Sequence, residues 1–343
     1  MAVPEIRIGS VATKLPGPPV DNARLGTFFR ASGVFEQWVE AFIGTRTRHL
    51  SMDLDSGEVR FSLADLAEEA ARNAMKAAGV APGDIDVVVM GTSMPDTLLP
   101  TTVNVVADRL GIDGVAGYQL QSGCTGAMQA LDIAHQMLLT GRHRTALVIG
   151  GEMCAKHIDL DLDFGKLSPG EMVNTVLFGD GAGAAVLTVE PVPGAPVLHR
   201  VLVRCAGQGK APGQVVEWFG MGDREEKRSA LHEDFKAIEE NVPLLSAEAL
   251  KELLDGQGWR PSDVTWLLPP QLSARMTDRI VSHLGLLQAQ EISCVKETGN
   301  TANALPFFQL ERVLPRMRTG DRAVAVAVES SKWIKSGFVL EAV

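Results

Sequence analysis

The stretch QSGCTGAM (residues 121–128) combines the end of an apolar run, a turn of small residues, a cysteine and the start of a helix. Apolar residues then recur with helical spacing, which predicts a helix from Thr125 to Thr140. A cysteine at such a start faces unpaired backbone N–H groups and the positive end of the helix dipole. Either Cys124 is a nucleophile whose thiol pKa is lowered by this setting, or it is a buried structural cysteine.

The composition is typical of a globular chain with a large core. The 343 residues are enough for two packed units, and 45% of them are hydrophobic. The net charge of −10 argues against nucleic-acid binding and against anionic membrane surfaces, and no apolar run reaches the roughly 18 residues of a membrane span. No secretory signal is visible at the N-terminus. The four cysteines lie far apart without a zinc-binding spacing, so we expect no metal and a reduced, cytoplasmic protein.

Short runs rich in Val and Ile alternate with longer segments of helical periodicity. The predicted strands are 86–92, 146–150, 183–189, 197–203, 264–268 and 323–328, and the predicted helices are 62–78, 102–110, 125–140, 247–254, 274–284 and 301–317. Gly79, Gly111 and Gly141 follow three of these helices, where a left-handed C-cap favours glycine. Buried strands separated by helices predict an α/β fold with a mostly parallel sheet covered on both faces.

The two halves of the chain contain a weak internal repeat. PGDIDVVVM at 82–90 resembles PSDVTWLLP at 261–269, and RTALVIG at 144–150 resembles DRAVAVA at 321–327. Between these segments, Cys124 corresponds to Asn300, and the offset stays between 176 and 179 residues. Such a repeat predicts two copies of a βαβαβ unit, each of which needs the other to bury its sheet. Under a pseudo-twofold axis, Cys124 and Asn300 begin equivalent helices and converge on one site.

Four motifs in this arrangement resemble those of one known family. They are GTRTRHL at 44–50, the Cys124 turn, FGDGAGAAVL at 178–187 and ETGNTAN at 297–303. Over nearly its whole length the chain resembles the thiolase-fold condensing enzymes, most closely the type-III β-ketoacyl-acyl-carrier-protein synthases and their acyltransferase-like relatives in secondary metabolism. The resemblance implies a five-layered α-β-α-β-α sandwich of two pseudo-twofold-related βαβαβ halves. The halves are residues 1–190 and 191–343, and a substrate-covering insertion, the cover segment, spans 207–243.

The glycine-rich motif that begins at Phe178 could be mistaken for a phosphate-binding loop. It lacks the Lys-Ser/Thr pair of a P-loop, and it leads into a strand rather than a helix. We interpret its glycines as sites of close backbone packing against the other half of the chain.

The resemblance also implies that Cys124 takes an acyl group from a thioester. In the family, a histidine and an asparagine then bind the carbonyl of a malonyl-type thioester and drive decarboxylative carbon–carbon bond formation, and the asparagine corresponds to Asn300. Pro270 stands where the family has the histidine, and a proline can neither donate a hydrogen bond from its nitrogen nor move a proton. His157 and Glu329 are the candidate substitutes as acid or base, unless they are ordinary polar residues.

Further departures from the family concern the candidate substrate-binding residues. Trp38 matches a tryptophan that stacks on the adenine of coenzyme A, but Phe42 replaces the usual arginine, which favours a carrier-protein donor. Trp333 lies in the stretch where the family has a glycine run that helps to form the oxyanion hole, and it is either a pocket residue or a core tryptophan. Trp218 and Phe219 belong to the cover segment, which has the mixture of aromatic and charged residues expected of a cover over an acyl tunnel.

The resemblance implies coenzyme A or phosphopantetheine as the substrate carrier, acyl-CoA or an acyl carrier protein as partner, no permanently bound cofactor, and a homodimer. Three functions fit the residues. An acyltransferase would pass the acyl group from Cys124 to a thiol, hydroxyl or amine. A β-ketoacyl synthase of polyketide or fatty-acid-like biosynthesis would form a carbon–carbon bond without the histidine, most easily with a β-keto thioester. A non-catalytic partner subunit would have no use for Cys124. Acyl transfer is the favoured prediction, because losing one donor to a developing oxyanion costs ~10²–10³ in rate.

Overall fold

The structure, a computed structural model, describes residues 4–31, 33–158, 164–167, 169–218 and 231–343. The described strands are β1 (Arg7–Lys14), β2 (Val20–Asp21), β3 (Thr47–Arg48), β4 (Val87–Thr92), β5 (Ala116–Gln121), β6 (Thr145–Glu152), β7 (Gly181–Thr188), β8 (Val197–Cys205), β9 (Gln214–Val216), β10 (Leu231–Glu233), β11 (Trp266–Leu268), β12 (Gln290–Glu291), β13 (Arg322–Glu329) and β14 (Ile334–Glu341). The described helices are α1 (Asn22–Phe28), α2 (Phe35–Phe42), α3 (Leu63–Ala78), α4 (Thr102–Leu110), α5 (Gly126–Leu139), α6 (Pro169–Leu177), α7 (Phe235–Gln257), α8 (Ala274–Leu284), α9 (Val295–Thr298) and α10 (Leu305–Val313).

Ten of these strands form one hydrogen-bonded sheet in the order β12-β11-β13-β14-β8-β1-β7-β6-β4-β5. On each side of the β8–β1 junction lie five strands with the same connection order. The first strand of each half pairs with the fifth, the fifth with the fourth, the fourth with the second and the second with the third. This shared topology confirms the two pseudo-twofold-related halves that the sequence repeat predicts.

The prediction of a mostly parallel sheet is wrong. Within the described residues, four pairings in the large sheet are parallel (β4–β5, β4–β6, β11–β12 and β11–β13) and five are antiparallel. The antiparallel pairings all involve the first or last strand of a half. For β13 and β14 the reason is local, because the turn at 330–333 that joins them is far too short for the crossover that parallel strands require.

Buried side chains on both faces of the sheet define three helical layers. α5 and α10 lie between the two halves, and α5 packs on β4 and β6 of the first half and on β8 and β14 of the second. α3 and α4 cover the outer face of the first half, and α7 and α8 cover that of the second. The resulting order of layers confirms the predicted five-layered sandwich of the thiolase fold.

The glycine-rich motif packs against the second half, as the sequence predicts. A Cβ on Gly183 would lie 2.3 Å from the Cβ of Phe307 on α10, and one on Gly179 would lie 2.4 Å from the carbonyl oxygen of Thr298. Only glycine permits approaches this close, so the motif sets the distance between the two halves. Gly79 and Gly111 have φ values of 69° and 73° at the ends of α3 and α4, which confirms their predicted role as C-caps.

Part of the cover segment is described. β9 and β10 form an antiparallel hairpin, and α7 begins at Phe235 directly after it. Phe219 and the rest of 219–230 lie outside the described residues. The boundaries predicted for the two halves and for the cover segment stay predictions. Among the helices of the described ranges, none is both long and apolar enough to cross a bilayer.

Candidate active site

The turn that carries Cys124 lies against the sheet of the first half. β5 ends at Gln121 and α5 begins at Gly126, and the Gly126 N–H donates to the carbonyl of Gly123 at 2.9 Å. A Cβ on Gly91 of β4 would lie 2.2 Å from the carbonyl carbon of Gly126, so glycine at position 91 lets the helix begin directly on the strand. Cys124 itself is partly exposed and lines a cleft.

The cleft brings Cys124, Asn300 and Pro270 together. Its other described lining residues are Met128, Pro269, Gln271, Leu272, Ala302, Leu305, Pro306, Gln309, Val326, Ala327 and Val328. No histidine is among the described residues of the lining. A thiol and a carboxamide that converge in an otherwise mostly apolar cleft form a site at which a thioester carbonyl can be bound and attacked.

The electrostatic setting of Cys124 differs from the predicted one. Burial raises the pKa of the Cys124 thiol well above its ordinary value, and the charges of Glu329, Glu152 and Glu233 raise it further. The prediction that the helix start lowers this pKa is therefore wrong. The first N–H groups of α5 are already bonded, that of Gly126 to a carbonyl in the turn and the next to a side chain of the other half. A thiol in this state needs a base to take its proton before it attacks.

The side chain that satisfies the second N–H of α5 belongs to Asn303. Its Oδ1 accepts from the Ala127 N–H at 2.7 Å, and its Nδ2 donates to the Ser122 carbonyl at 3.2 Å and to the carboxylate of Glu152. Glu152 is fully buried, and it also accepts from the N–H and the hydroxyl of Ser93. Burial raises the pKa of Glu152 to about 7 although these hydrogen bonds oppose the rise. This network fixes the Cys124 turn against the end of β6.

Sequence reasoning missed this pair of positioning residues. Asn303 is part of the ETGNTAN motif, and it lies 176 residues after Ala127, which is the repeat offset of Cys124 and Asn300. Glu152 ends β6 with a charged residue after seven small or apolar ones. An acid at the carboxyl end of a buried strand was therefore the signal that could have identified it.

Asn300 is held by its backbone and by its own side chain. It forms a parallel bridge with Phe178, in which its N–H donates to the Leu177 carbonyl at 2.9 Å and its carbonyl accepts from Gly179 at 3.1 Å. Its Oδ1 accepts from the Ala302 N–H at 3.0 Å. Because Oδ1 is engaged in this hydrogen bond, Nδ2 is the atom of the Asn300 side chain that can donate to a ligand in the cleft.

Pro270 is part of a fixed wall of the cleft. Thr277 donates to the Pro270 carbonyl at 3.0 Å, and Gln309 donates to the Pro269 carbonyl at 2.9 Å. The neighbouring Gln271 accepts through Oε1 from two N–H groups at the start of α9, and its Nε2 donates to a serine hydroxyl. The polar atoms of the Gln271 side chain are thus engaged in local hydrogen bonds. Pro270 itself has no proton to give.

Of the two candidate substitutes, Glu329 lies beside the turn that carries Cys124. It is fully buried at the end of β13, and a Cβ on Gly123 would lie 2.1 Å from its Oε2. Its Oε1 accepts from the Ser331 N–H at 2.8 Å, while Oε2 has no hydrogen-bond partner within the part of the chain that the structure describes. His157 ends a 3₁₀ turn, Cys154–His157, and its side chain lies outside the described residues.

Trp333 belongs to the core and not to the cleft, so its prediction as a pocket residue is wrong. It is 1% exposed and packs among Ile238, Val242 and other apolar residues. Its Nε1 donates to the Ala211 carbonyl at 2.7 Å. Trp333 therefore anchors the turn at 330–333 in the core. The cleft is lined instead by Val326, Ala327 and Val328 near the end of β13.

Three further predicted substrate-binding residues, Trp38, Phe42 and Trp218, lie away from the lining of the Cys124 cleft. Trp38 is half-buried against Phe35 and Phe164, and Phe42, which is 67% exposed, lies with its ring centroid 6.4 Å from that of Trp38. Trp218 is 74% exposed at the edge of the described cover segment. Their predicted contacts with a substrate carrier stay predictions.

Two sequence-family models match the chain, one in each half. The 3-oxoacyl-[acyl-carrier-protein (ACP)] synthase III model matches residues 118–204, and the 3-oxoacyl-[acyl-carrier-protein (ACP)] synthase III C-terminal model matches residues 254–330. Among curated proteins, the beta-ketoacyl-[acyl-carrier-protein] synthase III of Neisseria meningitidis serogroup C / serotype 2a is 28% identical over 302 residues, which are 87% of each chain.

Solved structures extend this similarity. AbyA1, a tetronic acid condensing enzyme, is 57% identical with a TM-score of 0.95, over 98% of this chain and 100% of that chain. The priming beta-ketosynthase from the R1128 polyketide biosynthetic pathway is 27% identical with a TM-score of 0.83, over 100% of this chain and 98% of that chain. The identity to AbyA1 over almost the entire length, together with the matches in both halves, shows that this chain belongs to the family of type-III β-ketoacyl-acyl-carrier-protein synthases, the thiolase-fold condensing enzymes.

Proposed function

We propose that the protein is a condensing enzyme that carries an acyl group on Cys124 and delivers it to the α-carbon of a β-ketoacyl thioester. The proposal is carried by the cleft in which Cys124 and Asn300 meet Pro270. The thiol and the carboxamide provide a nucleophile and a carbonyl-binding donor. Pro270 provides neither a second donor nor a proton-transfer group, which limits the acceptors that such a site can use.

The acceptor follows from this limit. Decarboxylation of a malonyl thioester develops enolate charge that the site must stabilise, and losing one donor for such charge costs about 10²–10³ in rate. The carbanion of a β-ketoacyl thioester spreads its charge over two carbonyl groups of the substrate itself. It therefore depends least on a donor that the cleft does not supply. This choice departs from plain acyl transfer, the favoured sequence prediction, and adopts its carbon–carbon-bond-forming alternative.

The similarity to AbyA1, a tetronic acid condensing enzyme, supports the same chemistry. A tetronic acid is a five-membered lactone that contains a 1,3-dicarbonyl unit. One route to this ring joins a 2-hydroxyacyl unit to a β-ketoacyl unit. The α-carbon attacks the acyl-Cys124 thioester and releases the thiol. The 2-hydroxyl then attacks the β-ketoacyl thioester and releases the carrier thiol, which closes the ring. We propose a 2-hydroxyacyl thioester as the donor for Cys124.

The same proposal includes the carriers. Coenzyme A or the phosphopantetheine of an acyl carrier protein would deliver both thioesters, and Asn300 would bind one of their carbonyl groups. Trp38 and the exposed Phe42 offer an aromatic surface, but Phe42 replaces the arginine usual in the family, which favours an acyl carrier protein over free coenzyme A. The reactions need no bound metal or redox cofactor, and a reducing cytoplasm would keep Cys124 available as a thiol.

Intact-protein mass spectrometry tests the donor step. We expect a 2-hydroxyacyl carrier thioester to add its acyl mass to the wild-type protein and to Cys205→Ala, whose thiol is exposed on β8, but not to Cys124→Ala. Adding a β-ketoacyl thioester should remove that mass and yield a product with a new carbon–carbon bond. An ester or amide without such a bond would instead establish plain acyl transfer. No acylation by any donor would favour a non-catalytic partner subunit.

We also propose a homodimer formed through β5. This strand lies at one end of the large sheet, and Tyr118 on it is an exposed aromatic side chain. Leu99, in the loop between β4 and α4, adds exposed apolar surface to the same half. A second copy related by a twofold axis would pair the two edges. Sedimentation should show a dimer for the wild-type protein and a monomer for Tyr118→Asp, and a wild-type monomer at micromolar concentration would contradict this proposal.

A further inference from the structure

Three buried acceptor atoms on β13, β10 and α6 have no donor within the described part of the chain. They are Oε2 of Glu329, Oε2 of Glu233 and Oδ1 of Asn174. Glu329 is 0% exposed, and its unpaired oxygen lies against Gly123, one residue before Cys124. A buried acceptor without a partner is unfavourable in the resting protein. Groups kept in this state beside a nucleophile are suited to receive a proton during the reaction.

Glu233 lies on the hairpin of the cover segment, close enough to Cys124 for its charge to act on the thiol. Gln214 on β9 donates to Oε1 of Glu233 on β10 at 2.5 Å, and Asn174 of α6 donates to the same carboxyl group. The second oxygen of Glu233 thus stays unpaired although two amides hold the side chain in position. Glu233 is therefore fixed by its neighbours rather than left mobile on the surface.

The same hairpin is attached to the turn that follows Glu329. The Gly213 N–H donates to the Ser330 carbonyl at 2.9 Å, and the Asp234 N–H donates to the Gly213 carbonyl at 2.7 Å. These bonds connect the ends of the hairpin to the residue next to Glu329. Glu329 at the end of β13 and Glu233 on β10 are therefore linked through this turn, and the charges of both act on Cys124.

We infer that Glu329 is the catalytic base of the proposed condensation and that Glu233 is its partner in a carboxyl pair that holds one proton. Two neighbouring buried carboxyl groups do not both ionise, because like charges in a poorly solvated site repel. Burial raises the pKa of Glu233, and the charge of Glu329 adds to that rise, which favours the protonated form of Glu233. The role of base is assigned to Glu329 because its Oε2 lies against Gly123. The inference rests on the proposed function and names the residue that replaces the histidine.

The proton balance of each step is simple. During acylation, Glu329 takes the proton of the Cys124 thiol, the thiolate attacks the donor thioester, and the departing carrier thiolate takes the proton from Glu329. During condensation, Glu329 takes a proton from the α-carbon of the β-ketoacyl thioester. The carbanion attacks the acyl-Cys124 carbonyl, and collapse of the adduct expels the Cys124 thiolate, which recovers the proton from Glu329. The raised pKa of that thiol favours its reprotonation.

Deuterium exchange tests the base without acylation. In Cys124→Ala, we expect the protein to accelerate exchange at the α-carbon of a β-ketoacyl thioester in D₂O above the buffer rate. Adding Glu329→Gln should remove about 10²-fold or more of that acceleration, since a general base contributes about 10²–10⁴-fold. Adding Glu248→Gln, an exposed acid on α7 paired with Lys335, is the matched control and should leave the rate unchanged. Glu329→Asp, which withdraws the carboxylate by one methylene group, should fold and also lose exchange.

The partner role has its own readout. Besides Glu233, the acid that acts on the Cys124 site is Glu152 on β6, and both must be counted in any titration. In a pair that holds one proton, the ionisation of Glu233 lies on the alkaline side of the pH–rate profile, because a second charge beside Glu329 is disfavoured. We expect Glu233→Gln to remove this ionisation from the profile. An unchanged alkaline side would overturn the pair. If the exchange rate is the same with and without Glu329→Gln, Glu329 is not the base, even if the wild-type protein is acylated on Cys124. If the wild-type protein is not acylated at all, the proposed function itself is overturned.

Discussion

Asn303 accepts a hydrogen bond from the backbone N–H of Ala127 at 2.7 Å, although the two residues belong to different halves of the chain. Ala127 is the second residue of α5, so the first turn of the helix that follows Cys124 is capped by a side chain from the other half. The same side chain bonds Glu152, which links the cap to a buried acid. The Cys124 turn therefore acquires its shape only when both halves are assembled.

Asn303→Ala should weaken both the fold and the acylation step. The cap alone contributes about 1 kcal/mol, and the buried carboxylate of Glu152 loses a donor, which costs about 1–3 kcal/mol more. We expect a lower urea midpoint and slower acylation of Cys124 in stopped-time mass spectrometry. Asn241→Ala on α7 is the control and should change acylation little, because this amide bonds Ala237 and Lys210, neither of which lines the cleft. Unchanged stability in Asn303→Ala would contradict the capping role.

Glu152 should make the stability of the protein fall as the pH rises from about 4.5 to about 7. Burial raises the pKa of Glu152 from 4.5 to about 7, so the folded state binds a proton that the unfolded state releases in this interval. The stabilisation is complete below the unfolded pKa and is lost as the pH passes the folded one. Glu152→Gln has no such proton. Calorimetry across pH 4 to 8 should therefore show the Tm of wild type declining relative to Glu152→Gln, and parallel curves would refute the shift.

Gly123→Ala should displace the carboxyl group of Glu329. The added Cβ would lie 2.1 Å from Oε2 and 2.7 Å from Oε1, so the acid must move. Such an insertion into a packed site costs about 1–3 kcal/mol, and we expect condensation to fall with it. The control is Gly83→Ala, where a Cβ meets nothing within 4 Å. Combining Gly123→Ala with Glu329→Ala should restore the urea midpoint but not the activity, which would separate strain from chemistry.

Trp333→Ala should destabilise the protein by about 3–5 kcal/mol, because a buried indole is replaced by a cavity and the Ala211 carbonyl loses its donor. Trp218→Ala should change the free energy of unfolding by less than about 0.5 kcal/mol, because that ring is largely exposed. Chemical unfolding of the two variants measures the contrast. Equally small changes in the free energy of unfolding for both variants would contradict the core role of Trp333 and favour a substrate contact.

Strong apolar periodicity made several elements predictable. α4 and α8 have the predicted bounds, and β4 and β6 lie within a residue or two of theirs, because buried strands and amphipathic helices leave clear patterns. β5 was missed since its residues are largely exposed at the sheet edge, and β14 was missed because polar residues interrupt it. Both are decided by pairing with a neighbouring strand, which no local pattern records.

The sequence by itself determined the repeat, the two halves and the convergence of Cys124 with Asn300, because glycine turns and hydrophobic spacing are local properties of the chain. Only the tertiary structure decided the electrostatics of the site. The sequence places a thiol at a helix start and predicts a lowered pKa. In the structure, burial raises the pKa of Cys124 instead, and the charges of Glu329, Glu152 and Glu233, which lie on three distant segments of the chain, raise it further. Charge interactions depend on distance and desolvation, and both exist only after the halves have packed.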